Sequence, residues 1–315
     1  MSATLETTPA EPVPVTDAAR DMRQTMGAVK LSFSWLGTQR KLEDGQIRQA
    51  ADTFGADKEA VTASKKLIDT KHPAYRAVTL IKSQAAAYWR SMTMPYPQEG
   101  VRLIRRDDIE QFETRMNQFR EELTAAVENL RTHYDDLKAA TRERLGALYN
   151  PADLPDTLEG VFNISWEYPA VDPPQYLMRF NPALYQQEQE RVQQRFETAV
   201  LMTENAFAEQ LQALVAHLIE RLSDSPDGTA KTFRPSTIEN FKEFAAEFRK
   251  LNVRGNTELD RLIAQAESLV AGVTPAELRK SATLRSEIAE RMQEVQTTLD
   301  TLVTNAPRRR LMELD

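Results

Sequence analysis

The chain has no cysteine, and its 315 residues include only 10 glycines and 3 histidines. The absence of cysteine excludes disulfides, thiolate metal sites, iron–sulfur clusters and a cysteine nucleophile. Because the glycines are not closely spaced, the sequence contains neither a phosphate-binding loop nor a dinucleotide-binding fingerprint. These absences exclude the common classes of ATPase and dinucleotide-dependent enzyme.

Long apolar runs are also missing. No run approaches the roughly 18 residues that indicate a transmembrane helix, so we expect a soluble protein with no membrane partner. The first residues contain Pro9, Pro12 and Pro14 and lack the apolar core of a signal peptide. We therefore expect residues 1–16 to form a disordered tail.

Side chains that could carry chemistry do not form a known motif. The histidines lie too far apart for a paired metal-ligand signature, and we interpret them as interface histidines: His72, His133 and His217. Adjacent carboxylates such as Asp107 and Asp108 point about 100° apart on a helix, which does not suit joint action on one substrate. The sequence therefore predicts no catalytic residue, no metal site and no cofactor.

Three segments are predicted to be strands. The first and third alternate between apolar and polar residues, which is the pattern of a half-buried strand, and the second follows Gly100. The first runs from Val29 to Trp35 before Gly37, the second covers Val101–Ile104, and the third runs from Phe162 to Tyr168. Helices are predicted around these segments at residues 16–26, 45–54 and 58–69, and from Pro73 onward. Residues 17–106 are thus predicted to be a small α+β domain.

Two long segments have helical periodicity. Residues 107–149 place apolar side chains at a three-four spacing typical of a coiled-coil seam, and residues 182–223 form a second segment of similar length. We predict that they pair as an antiparallel hairpin over residues 107–224, with a strand-bearing, proline-rich insert at residues 150–182. A helical bundle at residues 225–315, including one helix over 275–303, completes a mainly α, elongated fold.

The chain resembles an uncharacterised family, a domain of unknown function encoded by phages, plasmids and integrative elements of bacteria. The resemblance rests on four segments between Val29 and Leu222: Val29–Gly37, Ala63–Asp69, Met94–Pro97 and Phe162–Trp166. It implies a mobile-element setting in a bacterial cytoplasm, with some members encoded near a cobalt-chelatase-like AAA+ ATPase. It supplies no functional residue and no established activity.

The predicted architecture favours binding over catalysis. We expect a non-enzymatic interaction or scaffold protein that forms a homo-oligomer or binds a larger assembly such as an ATPase, with Trp166 and Tyr168 as contacts at the hairpin tip. The alternative is a nucleic-acid-associated accessory factor in mobile-element DNA processing, although a net charge of −7 disfavours general polyanion binding. Its basic residues would be Lys65, Lys66, Arg102, Arg105 and Arg106. A third hypothesis, an enzyme whose active site forms at a domain junction, stays open, but the sequence suggests no catalytic residue for it.

Overall fold

A computed structural model describes residues 16–223, 235–251 and 257–305. The chain is mainly helical with a small antiparallel sheet, which confirms the predicted class. It divides into two compact units. The sheet unit comprises Met26–Met94 and Gln98–Ala170, and the helical unit comprises the described parts of Met1–Thr25, Pro95–Pro97 and Val171–Asp315. The predicted disordered tail lies almost entirely outside the described residues.

The strands are short, apart from the first. They are β1 (Met26–Ser34), β2 (Gln39–Lys41), β3 (Ser64–Lys66), β4 (Thr93–Pro95), β5 (Val101–Arg105) and β6 (Asn163–Glu167). One sheet has the order β4-β5-β1-β6, in which β1 runs antiparallel to both β5 and β6, and β2 pairs with β3 separately. The three strands predicted from the sequence are confirmed as β1, β5 and β6.

The helices carry most of the core. They are α1 (Asp17–Thr25), α2 (Asp44–Phe54), α3 (Pro73–Ser91), α4 (Ile109–Thr132), α5 (Tyr134–Leu145), α6 (Tyr176–Phe180), α7 (Pro182–Leu222), α8 (Pro235–Leu251), α9 (Thr257–Val270), α10 (Pro275–Lys280) and α11 (Ala282–Asn305).

The helix predicted over residues 58–69 is wrong, because this stretch holds a 3-10 turn and then β3. Val61 and Thr62 are β-branched and favour the extended backbone seen there. The helix predicted over 275–303 is interrupted at Ser281.

The first long helical segment packs inside the sheet unit. Its predicted apolar stripe is buried, as Phe112, Met116, Phe119, Leu123 and Leu130 show, but the helix packs chiefly against α3. It is also interrupted at His133, which separates α4 from α5 with φ −106° and ψ 0°. The coiled-coil hairpin is therefore not confirmed, because α3 already covers the seam that was expected to meet the second segment.

The second long segment is continuous, as predicted, and forms the 41-residue helix α7 of the helical unit. Its main partner is α11, and α1 also packs along it. The predicted apolar stripe from Phe196 to Leu222 is buried except at Leu214, which is half-buried, and Val215 is buried beside it. Rings of Phe207, Phe244 and Phe248 pack edge to face between α7 and α8.

Ionisation of Tyr134, the first residue of α5, makes the stability of the fold depend on pH. Its ring is buried, its hydroxyl donates to the Pro155 carbonyl at 2.8 Å, and burial raises its pKa to about 12, with smaller contributions from Tyr149, Asp156 and Asp135. A folded-state pKa raised above the ordinary value of 10.0 gives stability that is fully present below pH 10 and is lost as the pH rises towards 12.

We therefore expect Tyr134→Phe to reduce the loss of unfolding free energy between pH 10 and 12. At neutral pH the variant should cost about 1 kcal/mol, because the Pro155 carbonyl loses its donor. Urea unfolding at neutral pH, at pH 10 and at pH 12 measures both effects, with Tyr185→Phe as the control. An alkaline loss of the same size in wild type and Tyr134→Phe would contradict the assignment.

Candidate functional site

An exposed group of large apolar side chains stands out in the helical unit. It consists of Tyr176, Met178 and Phe180 on α6 and Leu184 at the start of α7, with exposed fractions of 57%, 53%, 82% and 36%. We call it the α6–α7 surface. The rings of Tyr176 and Phe180 lie 6.3 Å apart between centroids. Single exposed apolar residues are normal on proteins, but several large ones grouped in one short segment are typical of an interaction site.

Local sequence builds this surface. Asn181 ends α6 and caps α7, because its side-chain oxygen accepts the N–H of Leu184 at 3.1 Å and Pro182 fits the first helical turn. The segment that precedes α6 is held to α1 by the Arg23–Asp172 ion pair at 2.7 Å. The first buried residue of α7 is Val192, and before it most residues of the helix are exposed, with Tyr185, Glu188 and Gln189 half-buried.

The sequence contained a signal for this surface. Tyr176, Leu177, Met178 and Phe180 place four large apolar side chains in five consecutive residues, within the proline-rich insert that was predicted to lie at an exposed tip. Periodicity did not reveal the surface, because a five-residue helix is too short to show a buried stripe. Such a run, with no apolar seam to join, makes the segment a candidate surface, and the structure shows that it is exposed.

The predicted contacts Trp166 and Tyr168 converge on one carboxylate. Trp166 Nε1 donates to Glu113 Oε1 at 2.5 Å, and the Tyr168 hydroxyl donates to the same oxygen at 2.6 Å. Arg120 lies over the Trp166 ring, 4.4 Å from its centroid. Burial and the Glu113 carboxylate raise the pKa of Tyr168. Trp166 therefore ties β6 to α4 and is half-buried, while Tyr168 is 43% exposed. Their role in partner binding stays a prediction.

Lys65 does not belong to a solvent-facing basic surface. Its side chain is 4% exposed, and its ammonium group contacts Asp153 Oδ2 at 2.6 Å and donates to the Leu148 carbonyl at 2.7 Å. Arg40 pairs with the other carboxylate oxygen of Asp153 at 3.3 Å. Because both groups of the Lys65–Asp153 pair are buried, the structure gives no support to Lys65 as a nucleic-acid contact, and that role stays a prediction. Its ammonium group instead holds the β2–β3 ribbon to residues 148–153.

The other basic residues named for nucleic-acid binding do not form one free surface. The Arg102 guanidinium donates to the side-chain and backbone oxygens of Thr93, both at 2.7 Å, and burial lowers its pKa. Arg105 is three residues after Arg102 on β5, so its side chain lies on the opposite face of the strand, where it pairs with Asp107 at 3.3 Å. Lys66 and Arg106 are exposed. Two of the five predicted residues are thus exposed.

The structure brings together two histidines that the sequence keeps far apart. The rings of His72 and His133 lie 5.2 Å apart and line a cavity of about 260 Å³ with Asp69 and Asp136. His72 Nδ1 already accepts the Ala74 N–H at 3.3 Å, which caps α3. Among the described residues no group of three or more His, Cys, Asp or Glu is arranged to hold a metal ion. We assign no chemistry to this pair.

No helix within the described ranges is both long enough and apolar enough to cross a membrane. Comparison with protein-family models, curated proteins and solved structures gives no significant match to this chain.

Proposed function

We propose that this chain is a non-enzymatic interaction protein, or scaffold, that binds a protein partner through the α6–α7 surface. The observation that carries the proposal is the exposure of Tyr176, Met178, Phe180 and Leu184 within nine residues of sequence. Tyrosine, phenylalanine and methionine are enriched in protein interfaces, where their burial supplies much of the binding free energy.

Two partners are compatible with the surface. One is a second copy of this chain, and the other is a larger assembly such as an AAA+ ATPase. The mobile-element setting and the ATPase both rest on the sequence resemblance. The exposed apolar chemistry of the surface supports a protein partner in either case.

The nucleic-acid alternative has less support. Lys65 is buried, Arg102 is engaged with Thr93, and Arg105 pairs with Asp107. A binding site for the phosphate backbone needs several accessible cations, since each contributes through its own phosphate contact. Lys66 and Arg106 are too few to make this function our proposal.

The proposal predicts that the double variant Met178→Ser/Phe180→Ser loses partner binding. Burial of each side chain stabilises a complex by about 1.5–3 kcal/mol, so the affinity should fall by about a hundredfold or more. Both side chains are exposed in the chain alone, so its thermal unfolding should change little. Quantitative pull-down from nuclease-treated lysate measures partner retention, and sedimentation velocity of the purified protein measures self-association.

Phe54→Ser is the matched control, because Phe54 is 84% exposed but lies on α2, outside the α6–α7 surface. The control should bind like the wild type. Retention of the same partners, in the same amounts, by wild type and the double variant would refute the proposal.

A further inference from the structure

A second surface lies on the sheet unit, where strand β6 forms one edge of the four-stranded sheet. β1 pairs with one side of β6, through Ser32 opposite Ser165, and within the described part of the chain no strand pairs with the other side. An edge strand presents backbone N–H and C=O groups that can pair with an added strand. Five residues of β6 are long enough for a short peptide strand of about 17 Å.

An open cavity of about 810 Å³ adjoins this edge. It lies between α4 and residues 156–163, and its lining ends at Asn163, the first residue of β6. Arg120, also part of the lining, lies over the Trp166 ring of the same strand. The cavity therefore meets β6 at Asn163, and we call the cavity and the unpaired edge of β6 together the β6 groove.

Packing holds the walls of the β6 groove in place. Leu123 and Leu158 are 3% and 2% exposed, and the Phe162 ring stands edge-on to Trp35 with centroids 5.1 Å apart. The Tyr134 hydroxyl donates to the carbonyl of Pro155 at the start of the facing segment. A site whose walls are already ordered loses little conformational entropy when a ligand binds, and its apolar walls can accept alternate side chains of a strand.

The charges of the groove select a basic occupant. Arg131 pairs with Glu128 at 2.6 Å, and Asp135 pairs with Lys138 at 2.8 Å, so these charges are already compensated. Arg120 is the remaining cation of the lining and lies over the Trp166 ring, so it offsets only one of the two carboxylates that follow. Asp156 and Glu159 are exposed in the lining and have no ion pair among the described residues. They are placed to meet lysine or arginine side chains that project from an added strand.

We infer that the β6 groove docks an extended peptide segment that alternates basic and apolar residues and adds a strand to β6. The backbone edge supplies hydrogen bonds, the half-buried Val127 and Phe162 contact the apolar side chains, and Asp156 and Glu159 contact the basic ones. This surface belongs to the sheet unit and is independent of the α6–α7 surface.

The test uses a fluorescent Lys-Val-Lys-Val-Lys-Val peptide and the full-length protein. We expect saturable binding, slower hydrogen exchange of the β6 amides, and an affinity at least tenfold weaker for Asp156→Lys/Glu159→Lys. The matched control is Glu121→Lys/Glu143→Lys, which makes the same charge change at exposed sites outside the groove and should stay within about twofold of wild type. Met178→Ser/Phe180→Ser should bind the peptide normally, so failure here is distinguishable from failure of the α6–α7 proposal.

Two further peptides make the result decisive. Replacing each valine with proline keeps the charge but removes the three valine N–H donors, which point to the same edge of the peptide strand, and a Glu-Val-Glu-Val-Glu-Val peptide reverses the charge. Neither should bind. Equal binding of the proline peptide, preference for the glutamate peptide, insensitivity to Asp156→Lys/Glu159→Lys, or no binding by the wild type would each overturn the inference.

Discussion

Lys65→Met is expected to lower the free energy of unfolding by about 3 kcal/mol, within the range for breaking a buried ion pair. The variant leaves the Asp153 carboxylate, whose side chain is 7% exposed, without its closest cation. Arg40 still reaches this carboxylate at 3.3 Å, but its own side chain is 60% exposed and compensates only in part. The Leu148 carbonyl also loses its donor.

Urea unfolding measures this effect, with Lys66→Met as the matched control. Lys66 is the next residue on β3 and is exposed, so its replacement should cost no more than about 0.5 kcal/mol. The double variant Lys65→Met/Asp153→Asn should be less destabilised than the sum of the single changes, because neither charge remains buried. A cost for Lys65→Met no larger than that for Lys66→Met would contradict the buried ion pair.

Phe112→Ala is expected to cost about 3–5 kcal/mol. The Phe112 ring is fully buried where α3, α4 and β6 meet. It stacks on Tyr88 of α3 with an interplanar angle of 8°, and Trp166 of β6 packs edge-on to it at 6.3 Å. Removing the ring opens a cavity that three elements border, so no single side chain can fill it.

Chemical denaturation, followed by circular dichroism and by tryptophan fluorescence, checks the expected loss. Phe54→Ala makes the same change at an exposed position and should stay within about 0.5 kcal/mol of wild type. If Phe112→Ala were as stable as Phe54→Ala, the packing of α4 between α3 and β6 would be wrong.

Patterns within one element were predictable from the sequence. The alternation from Val29 to Trp35 marked β1, and the three-four spacing after Ile109 marked the face of α4 that is buried. The partner of that face was not predictable, because periodicity shows that a stripe is covered and not which element covers it. This is why the hairpin was expected, whereas α3 occupies the seam.

The candidate sites depended on contacts between distant residues. Lys65 looked like part of a basic run, and its burial follows from Asp153, which the sequence does not connect to it. The rings of His72 and His133 likewise lie close together only because the fold brings two distant segments into contact, which the sequence alone does not show. Identifying the α6–α7 surface required knowing which contacts are absent, namely that Tyr176, Met178 and Phe180 are not covered by the rest of their unit. Exposure of apolar residues is a property of the packed chain, so composition and spacing did not identify it.

The measurement that tests the central claim most directly is photo-crosslinking from the α6–α7 surface. p-Benzoyl-phenylalanine would replace Phe180 in one sample and Phe54 in another, in the cells that produce the protein. We predict a discrete crosslinked protein, either a second copy of this chain or a larger partner, from position 180 and none from position 54. No crosslinked product from position 180, or the same products from both positions, would contradict the account.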